Sequence, residues 1–335
     1  MQLSIVTTLY YSEPYLREFY ERMTRTAAQI TKDYEILFVN DGSPDESLTI
    51  ARDLCETDEH VRVVDLSRNF GHHRAIMTGL EHARGDLIFL TDSDLEEDPE
   101  WLERFYAAYQ DSDADVVYGL QRRRKGGRLE QFSGAVFYKV MDVLSSYPIP
   151  ANDTCARLMS RRYVNALIRH QEREAFLGGL FAITGFQQHP LVVDKHSKKK
   201  STYTLTHKVG LFVRALTSFS NKPLILVFYL GCFIFFLSSI AACVLIARKV
   251  LYGFLPGWAS TVVSIWLLGG LTILCIGVIG IYLSSIFMEA KQRPNTVIRQ
   301  IYEHSPKPRS KKKASGGSRS GGKKAKKAKK AQPPR

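Results

Sequence analysis

Two long stretches of the chain, 223–247 and 252–288, contain no charged residue. A helix of about 20 apolar residues crosses the roughly 30 Å hydrocarbon core of a bilayer, whereas a buried helix of a soluble domain rarely stays uncharged for so long. We therefore predict a transmembrane hairpin over 223–288, with spans at about 223–247 and 261–287. The preceding stretch, 207–222, mixes apolar and basic residues and predicts an amphipathic helix in the membrane interface.

Strand patterns alternate with helix patterns over the first 120 residues. The predicted strands are Leu3–Leu9, Glu35–Val39, Val61–Leu66, Leu87–Leu90 and Val116–Leu120, and the predicted helices are Tyr15–Ile30, Asp45–Cys55, His72–Ala83 and Pro99–Tyr109. Such alternation is typical of βαβ units and a mostly parallel, Rossmann-like α/β sheet. One or two further helices and a terminal pair of strands are expected over Arg161–Val193.

An acidic segment directly follows the fourth predicted strand. Its polar members are Asp92, Ser93, Asp94, Glu96, Glu97 and Asp98. Carboxylates at the C-terminal end of a strand lie in the crevice where open α/β sheets bind ligands. Two carboxylates one residue apart can face one hard cation, and Mg²⁺ and Mn²⁺ prefer such oxygen ligands, which they share with substrate phosphates. The segment therefore favours a metal–diphosphate site.

The same segment has a second interpretation as the start of a helix. Asp98 suits the N-cap and Pro99 the first turn of a helix that runs to about Gln110. Glu97 and Asp98 would then be solvated acids. This interpretation leaves the two aspartates of the D-x-D pattern unexplained, since they precede the cap, and spacing alone leaves both interpretations open.

The first two predicted strands also end in polar residues. Tyr10 and Glu13 follow the first strand and Asp41 follows the second, so parallel pairing places them at the same sheet edge as the acidic segment. Asp41 suits a hydrogen bond to a ribose or base, or a turn before Gly42. No G-x-G-x-x-G follows the first strand and no G-x-x-x-x-G-K-[ST] occurs anywhere, which argues against dinucleotide oxidoreductases and P-loop NTPases.

Five motifs, in this order and with these gaps, carry a more specific signal. They are SIVTTLYYSE, EILFVNDGSPDES, LSRNFGHHRAIMTGLEHARGD, LIFLTDSDLEEDP and DVVYGLQRRR. Over residues 1–290 the chain resembles family 2 glycosyltransferases with a GT-A fold. Within that family it resembles the polyprenyl-phosphate glycosyltransferases, which include dolichol-phosphate mannose synthases and bacterial undecaprenyl-phosphate glucosyltransferases. The resemblance implies a GT-A domain over 1–206, ahead of the interfacial helix and the hairpin.

The resemblance also implies roles for individual residues. Those expected at the nucleotide sugar are Tyr10, Glu13, Asp41, Arg68, Asp92 and Ser93. The expected ligands of a divalent metal, Mg²⁺ or Mn²⁺, are Asp92, Asp94 and Glu96. The expected catalytic residues are Asp92, Asp94, Arg122 and Asp153, and the expected contacts to the lipid phosphate are Lys198, Lys200, Ser201 and Tyr203. The arginines have an alternative interpretation as solvated surface charge. The four lipid-phosphate residues lie in a basic loop, Lys195–Tyr203, whose alternative role is attraction to anionic head groups.

One departure from the family pattern falls in the implied site. Many relatives carry an Asp–Phe–Arg triplet where this chain has Cys155-Ala156-Arg157. The usual acid is therefore absent, and Asp153 is the candidate to replace it. A phosphate acceptor is already largely ionised near neutral pH, so a general base contributes little. The reaction instead needs charge neutralisation on the leaving diphosphate and alignment of the attacking oxygen.

The positive charge is concentrated at the C-terminal end. Residues 291–335 contain sixteen Lys or Arg and one acid, while the whole chain carries a net charge of +13. We assign 289–335 to a basic, largely disordered tail that binds anionic lipids. Nucleic acid is not an expected partner, because no aromatic side chains interleave with the tail's charges. Two spans and a basic tail place the tail and the catalytic domain in the cytoplasm, at a bacterial inner membrane.

The five cysteines form no C-x-x-C pair, so the sequence indicates neither a zinc site nor a disulfide framework. Four glycines in the second span permit close helix packing and a homo-oligomer: Gly269, Gly270, Gly277 and Gly280.

The predicted activity is metal-assisted, inverting transfer of a sugar from a nucleotide sugar to undecaprenyl phosphate, with a slight preference for a UDP-sugar. Two alternatives stay open. A processive polysaccharide synthase joins the same fold to a membrane domain, but such enzymes usually carry a Q-x-x-R-W motif and more spans, and this chain has no such motif. An inactive membrane adaptor would fit the loss of the acid at Cys155, but not the retained Asp41, Asp92 and Asp94.

Overall fold

The computed structural model describes residues 1–121, 152–170, 177–195, 222–252 and 257–304. The eight strands in these ranges are β1 Leu3–Leu9, β2 Tyr34–Asn40, β3 Val61–Leu66, β4 Leu87–Leu90, β5 Val116–Gln121, β6 Asp153–Ser160, β7 Gln188–Val193 and β8 Ile298–Glu303. The eight helices are α1 Glu13–Ile30, α2 Ser47–Thr57, α3 His72–His82, α4 Trp101–Gln110, α5 Arg161–Leu167, α6 Leu177–Ile183, α7 Lys222–Tyr252 and α8 Trp258–Ala290.

The strands form one mixed, mostly parallel sheet in the order β7-β5-β6-β4-β1-β2-β3-β8. β1 lies between β2 and β4 and is parallel to both, and β3 continues the parallel set. β6 is antiparallel to β4 and to β5, and β8 is antiparallel to β3. The α/β class predicted from the alternation of strands and helices is confirmed.

Helices cover both faces of the sheet. One core packs α1, α2 and α4 against it through residues such as Phe19, Leu54 and Phe105. The other packs α3, α5 and α6 through residues such as Ile76 and Tyr163. Every residue of β1 and β2 is buried, which is why these strands lack the apolar–polar alternation of a strand with one solvated face.

The boundaries of the nine strands and helices predicted over the first 120 residues agree with the structure to within two residues. The predicted cap of α4 is nevertheless wrong, because the helix begins at Trp101 with Glu100 at the N-cap position. The carboxylate of Asp98 instead accepts a hydrogen bond from Nη2 of Arg22 in α1, at 3.1 Å. Asp98 therefore ties the acidic segment to α1 rather than capping α4.

Two further expectations need correction. Arg161–Val193 was predicted to end in a pair of strands, but its described residues hold α5, α6 and a single strand, β7, which pairs in parallel with β5. The segment 289–335 was assigned to a disordered tail, but Ile298–Glu303 forms β8 and lies along β3 at the edge of the sheet. The α/β domain therefore includes a strand that follows the second apolar helix.

The apolar part of the chain forms two long helices, α7 of 31 residues and α8 of 33. Across the described ranges, one segment has the length and apolarity needed to cross a membrane: Ser264–Ala290 in α8, with 27 residues and a mean hydropathy of 2.3. α7 contributes a shorter apolar stretch, Leu224–Ile234. The predicted interfacial helix lies outside the described residues except for Lys222, as does the chain from residue 305 onward.

Candidate functional site

The carboxyl ends of three adjacent strands bring the predicted site residues together. β1 pairs in parallel with β2 and with β4, and the backbone contacts continue past the strands: Asp41 N donates to Leu9 O at 3.1 Å and Thr91 N to Val6 O at 3.2 Å. Asp41 and the acidic segment therefore leave the sheet on either side of the end of β1. This is the edge at which open α/β sheets bind ligands.

β6 adds Cys155 to this edge. It runs antiparallel to β4 with Arg157 opposite Leu90, so Cys155 lies beside Asp92 where β4 ends. The backbone N–H of Cys155 donates to Oε1 of Glu97 at 3.0 Å. Cys155 is thus in contact with the acidic segment.

The Asp92 carboxylate lies between two basic side chains. Its Oδ1 is 3.6 Å from Nε2 of His72, and its Oδ2 is 3.7 Å from Nζ of Lys195. The side chain of Asp92 is 23% exposed. Burial raises the pKa of Asp92, and the charge of Lys195 opposes that rise.

Glu97 is a buried member of the site, and its interpretation as a solvated acid is wrong. Its side chain is 0% exposed. Oε2 accepts hydrogen bonds from Thr91 Oγ1 at 3.3 Å and from Asp92 N at 3.4 Å. Burial, together with the charge of Asp92, raises the pKa of Glu97 to about 7. Glu97 thus holds the start of the acidic segment in place through hydrogen bonds from Thr91 and Asp92.

Lys195 neutralises this cluster. Its Nζ lies 3.5 Å from Glu96 Oε2, 3.5 Å from Glu97 Oε1 and 3.7 Å from Asp92 Oδ2. Burial alone would lower the pKa of Lys195, but the surrounding carboxylates outweigh it and raise the pKa above its ordinary value. The sequence pattern placed Lys195 only at the start of a basic loop and gave no sign of its place in the site.

A tight turn presents Asp94 and Glu96. Leu95, between them, has a φ of +59°, a conformation that a branched side chain rarely adopts. The Asp94 carboxylate accepts a hydrogen bond from Glu96 N at 3.0 Å. The strained turn keeps two carboxylates of the predicted metal set close together.

Asp41 organises the start of α3. Its Oδ1 accepts from Phe70 N at 2.7 Å and its Oδ2 from Gly71 N at 3.0 Å. Burial raises the pKa of Asp41, against the lowering effect of these two backbone hydrogen bonds. His72 follows directly, and its Nδ1 is 3.0 Å from Thr8 Oγ1 at the end of β1. Asp41 therefore helps to place His72 as well as the loop before it.

The other residues predicted at the nucleotide sugar surround this edge. Tyr10 is 50% exposed and packs edge-on against Tyr11. Glu13 accepts a hydrogen bond from Glu46 N at 3.3 Å. The Arg68 guanidinium lies over the ring of Phe70, 4.1 Å from its centroid.

Ser93 differs from these exposed residues because its side chain is buried and already bonded. Its Oγ donates to Thr8 O at 2.9 Å and lies 2.9 Å from Ser12 Oγ. Ser93 therefore ties the acidic segment to β1 and to the start of α1.

Asp153 is paired with a buried arginine of its own strand. Arg157 Nη2 donates to Asp153 Oδ2 at 3.1 Å, and the Arg157 guanidinium lies over the Phe181 ring, 3.5 Å from its centroid. Burial raises the pKa of Asp153, with Arg157 opposing that rise. The predicted catalytic residue Arg122 lies outside the described residues, as do the four predicted lipid-phosphate contacts, Lys198, Lys200, Ser201 and Tyr203.

The donor set at this edge fits a hard divalent cation. Asp92, Asp94 and Glu96 offer carboxylate oxygens on one short segment, and a cationic group already lies among three carboxylates of the cluster. Mg²⁺ and Mn²⁺ prefer oxygen ligands of this kind. The chemistry of the residues is therefore consistent with the predicted metal.

Comparisons with known proteins agree with this arrangement. Residues 4–168 match glycosyl transferase family 2. A protein of Mycobacterium tuberculosis strain CDC 1551 assigned to the glycosyltransferases is 54% identical over 303 residues, covering 90% of this chain and 89% of the relative. The uncharacterized glycosyltransferase YkcC of Bacillus subtilis is 33% identical, covering 90% and 94%. The bactoprenol glucosyl transferase of Shigella phage SfII is 30% identical, covering 91% and 100%.

With these relatives, a GT-A-like mixed sheet and acidic side chains at its carboxyl edge, the chain belongs to glycosyltransferase family 2, whose members draw their sugar from a nucleotide sugar.

Proposed function

We propose that this protein transfers a sugar from a nucleotide sugar, with a slight preference for a UDP-sugar, to a polyprenyl phosphate in the membrane. The observation that carries the proposal is the carboxylate cluster around Lys195, in a chain whose α8 is long and apolar enough to cross a bilayer. A relative that spans 91% of the chain is named for a bactoprenol acceptor and a glucosyl group.

Asp92, Asp94 and Glu96 would hold the divalent cation, which when bound neutralises charge on the leaving nucleoside diphosphate. The protein's own residues supply the frame. Glu97 and Lys195 fix the acidic segment, since Glu97 accepts from its backbone and Lys195 contacts its carboxylates. Preorganised charge of this kind requires no rearrangement when the sugar is transferred.

The lipid phosphate would attack the anomeric carbon in a single displacement and invert its configuration. The pairing of Asp153 with Arg157 gives little support to a role as general base. The ion pair favours the charged form of the Asp153 carboxylate, whereas burial disfavours that form. An acceptor phosphate that is already ionised does not need such a base. Asp153 would then act on charge and position more than on proton transfer.

α7 and α8 would form a membrane hairpin. Apolar side chains are exposed along both helices, among them Phe228 at 66%, Ile240 at 60%, Trp266 at 78% and Ile273 at 73%. Water disfavours so much apolar surface, whereas lipid accommodates it. Because β8 follows α8 and pairs with β3, the chain returns to the catalytic sheet, so both ends of the hairpin lie on one side. The basic tail favours the cytoplasm for that side.

Transfer to lipid tests the proposal. Full-length protein in detergent is incubated with radiolabelled UDP-glucose, UDP-N-acetylglucosamine or GDP-mannose and with undecaprenyl phosphate, in Mg²⁺, in Mn²⁺ and in EDTA. Undecaprenol without the phosphate is the matched control. Label should enter the organic phase with one donor, and only with the phosphorylated lipid and a divalent cation. Nucleotide binding by calorimetry without lipid labelling from any donor would reject the acceptor.

A further inference from the structure

We propose that His72, Asp92 and Cys155 form a binding site for a thiophilic divalent cation such as Zn²⁺, and that its occupation blocks sugar transfer. The blocking effect rests on the proposed function, whereas cation binding does not. The donor set differs from the all-oxygen set of Asp92, Asp94 and Glu96 by an imidazole and a thiol.

The three side chains are gathered closely enough to share one ion. One ligand atom from each lies within 4.8 Å of the other two. Zinc bonds of roughly 2.0 to 2.3 Å in a tetrahedral site separate neighbouring ligand atoms by roughly 3.3 to 3.7 Å. The 3.6 Å between His72 Nε2 and Asp92 Oδ1 falls within that range. Only a small side-chain movement is needed to complete the set.

The hydrogen bonds around the cluster leave the appropriate atoms available. Nδ1 of His72 forms a hydrogen bond with Thr8 Oγ1 at 3.0 Å. When Nδ1 carries the ring proton, the lone pair of Nε2 is free of that proton and faces Asp92. Lys195 contacts Oδ2 of Asp92, while Oδ1 faces the histidine. A ligating histidine usually has its other nitrogen fixed in this manner by a neighbouring polar group.

Cys155 sets the chemical preference of the site. Thiolate and imidazole ligands favour Zn²⁺, whereas Mg²⁺ and Mn²⁺ favour carboxylates and water. The thiol lies against the Asp92 carboxylate and is partly exposed, so the site is open to a cation from solvent. On binding, the S–H bond breaks, its proton passes to solvent, and the sulfur electron pair forms the bond to the cation. No oxidant or reductant takes part.

Competition at Asp92 explains the expected inhibition. The same carboxylate is a predicted ligand of the oxygen site and a member of the His72–Asp92–Cys155 site. A Zn²⁺ ion bound by His72 and Cys155 would draw Asp92 away from the nucleotide-sugar metal. A protein with an acid at this position would lack the thiol and its preference for Zn²⁺ over Mg²⁺.

Cobalt provides a direct test that needs no substrate. Co²⁺ is added to EDTA-treated full-length protein in detergent, and sulfur-to-cobalt charge transfer is followed by near-ultraviolet absorption. The protein background carries Ala at Cys232, Cys243 and Cys275, so that these exposed or partly exposed thiols are removed. The band should appear in this background, disappear with Cys155→Ala, and be displaced by Zn²⁺. Circular dichroism and Tm verify folding, and Cys155→Ser replaces Cys155→Ala if the latter fails to fold.

Two further variants distinguish a site formed by all three side chains from Zn²⁺ binding by the Cys155 thiol alone. His72→Ala should weaken Zn²⁺ binding, measured by competition with a chromophoric chelator. Thr8→Val, which removes only the hydroxyl beside Nδ1, should weaken it by about 10- to 100-fold. Absence of the band in the background protein, its persistence with Cys155→Ala, or unchanged Zn²⁺ affinity with His72→Ala would overturn the proposal.

Inhibition is then measured as a fraction of each variant's own rate. Micromolar Zn²⁺ in excess Mg²⁺ should inhibit transfer by the wild-type protein, and Cys155→Ala, which offers no ligand atom, should relieve that inhibition. A cobalt band without any transfer activity would leave the cation site standing and count against the proposed function alone. Equal inhibition of wild-type and Cys155→Ala protein would reject the blocking role.

Discussion

Arg62 donates from Nε to Oε1 of Glu303 at 3.1 Å, across a separation of 241 residues. The same guanidinium donates from Nη1 to Oε2 of Glu35 at 2.7 Å. Arg84 Nη2 also donates to Glu303 Oε1, at 2.6 Å. Glu303 lies in β8, directly after the apolar helix α8, so these contacts fasten the end of the helical part to the edge of the catalytic sheet.

The two carboxylates that contact Arg62 should contribute very differently to stability. Glu35 is 1% exposed and Arg62 is 7% exposed, so Glu35→Gln leaves the Arg62 charge without its buried partner and should cost about 3–5 kcal/mol. Glu303 is 47% exposed, and Glu303→Gln should cost about 1 kcal/mol or less.

Guanidinium unfolding in detergent measures both costs. Trp101 is buried in α4, and its fluorescence reports on the sheet domain when Trp258 and Trp266 are replaced by Phe. Equal costs for the two variants would show that the burial of Glu35 does not control the strength of the contact.

The contribution of Glu303 should depend on pH in a defined direction. Partial burial alone would raise the pKa of Glu303, but Arg62 and Arg84 outweigh it and hold the pKa below its ordinary value of 4.5. A carboxyl with a lowered folded-state pKa stabilises fully above its unfolded pKa and loses that effect as pH falls through the folded value.

The difference in unfolding free energy between wild type and Glu303→Gln should therefore be constant from pH 7 to about 5.5, and should shrink below pH 4.5. Unfolding curves at several pH values measure it, with Glu18→Gln, on the surface of α1, as the control. A difference that grows on acidification would contradict the assignment.

Lys195 should be required for turnover. Lys195→Met leaves the carboxylates of Asp92, Glu96 and Glu97 without the ammonium that lies 3.5–3.7 Å from them. Loss of one preorganised charge in an active site typically lowers kcat by about 10²- to 10³-fold, and we expect a fall of this size.

Initial rates of lipid labelling at saturating donor measure this effect. Lys195→Arg keeps the charge and should recover part of the rate. Lys32→Met, at the turn before β2, is the matched control and should change kcat little. Near-wild-type turnover by Lys195→Met would exclude an electrostatic role.

The central strands were predictable because burial leaves a simple local signature. β1, β3 and β4 begin and end at the predicted apolar residues. β6 lacks that signature, since it carries Asp153 and the buried Arg157, whose charge is accommodated by an ion pair and by the Phe181 ring. β8 was not predicted, because it lies in a basic segment and three of its six residues, Arg299, Gln300 and Glu303, are polar or charged.

Site residues that directly follow a predicted strand could be predicted. Those contributed by distant parts of the chain could not. Asp41 and Asp92 lie at the ends of β2 and β4, so topology alone brings them together. Lys195 contacts Glu97 across 98 residues, and that contact depends on β7 returning to the sheet. Glu97 was misassigned because its burial is produced by β6, a strand that the pattern did not reveal.

Asp41→Asn should weaken nucleotide binding. The carboxylate accepts two backbone N–H groups, one through each oxygen, and an amide offers only one oxygen. The loop before α3 then loses a charge-assisted hydrogen bond of about 1.5–3 kcal/mol, and we expect at least a tenfold rise in Kd for the nucleoside diphosphate.

Calorimetric titration of UDP and of GDP measures the change. Asp33→Asn, at the opposite end of β2, is the control, because it should leave the nucleotide Kd unchanged. An unaltered Kd with Asp41→Asn would show that the loop does not contribute to nucleotide binding.

Asp94→Asn is the sharpest test of the metal assignment. The side chain keeps its size, and its remaining oxygen can still accept from Glu96 N, as Asp94 does at 3.0 Å, so the turn should remain folded. An amide is neutral and a weaker ligand for a hard cation, so we expect transfer to fall by about 10³-fold or more, the size of effect seen when transition-state charge loses its stabilisation.

Asp98→Asn is the matched control for Asp94→Asn. Asp98 lies in the same segment and contacts Arg22 at 3.1 Å, and its variant should keep most of the wild-type rate. Labelling of undecaprenyl phosphate across a Mn²⁺ series separates weakened metal binding, which excess Mn²⁺ would partly restore, from loss of the fold, which it would not. Wild-type turnover by Asp94→Asn, with normal labelling by Asp98→Asn, would place the metal ligands elsewhere in the site.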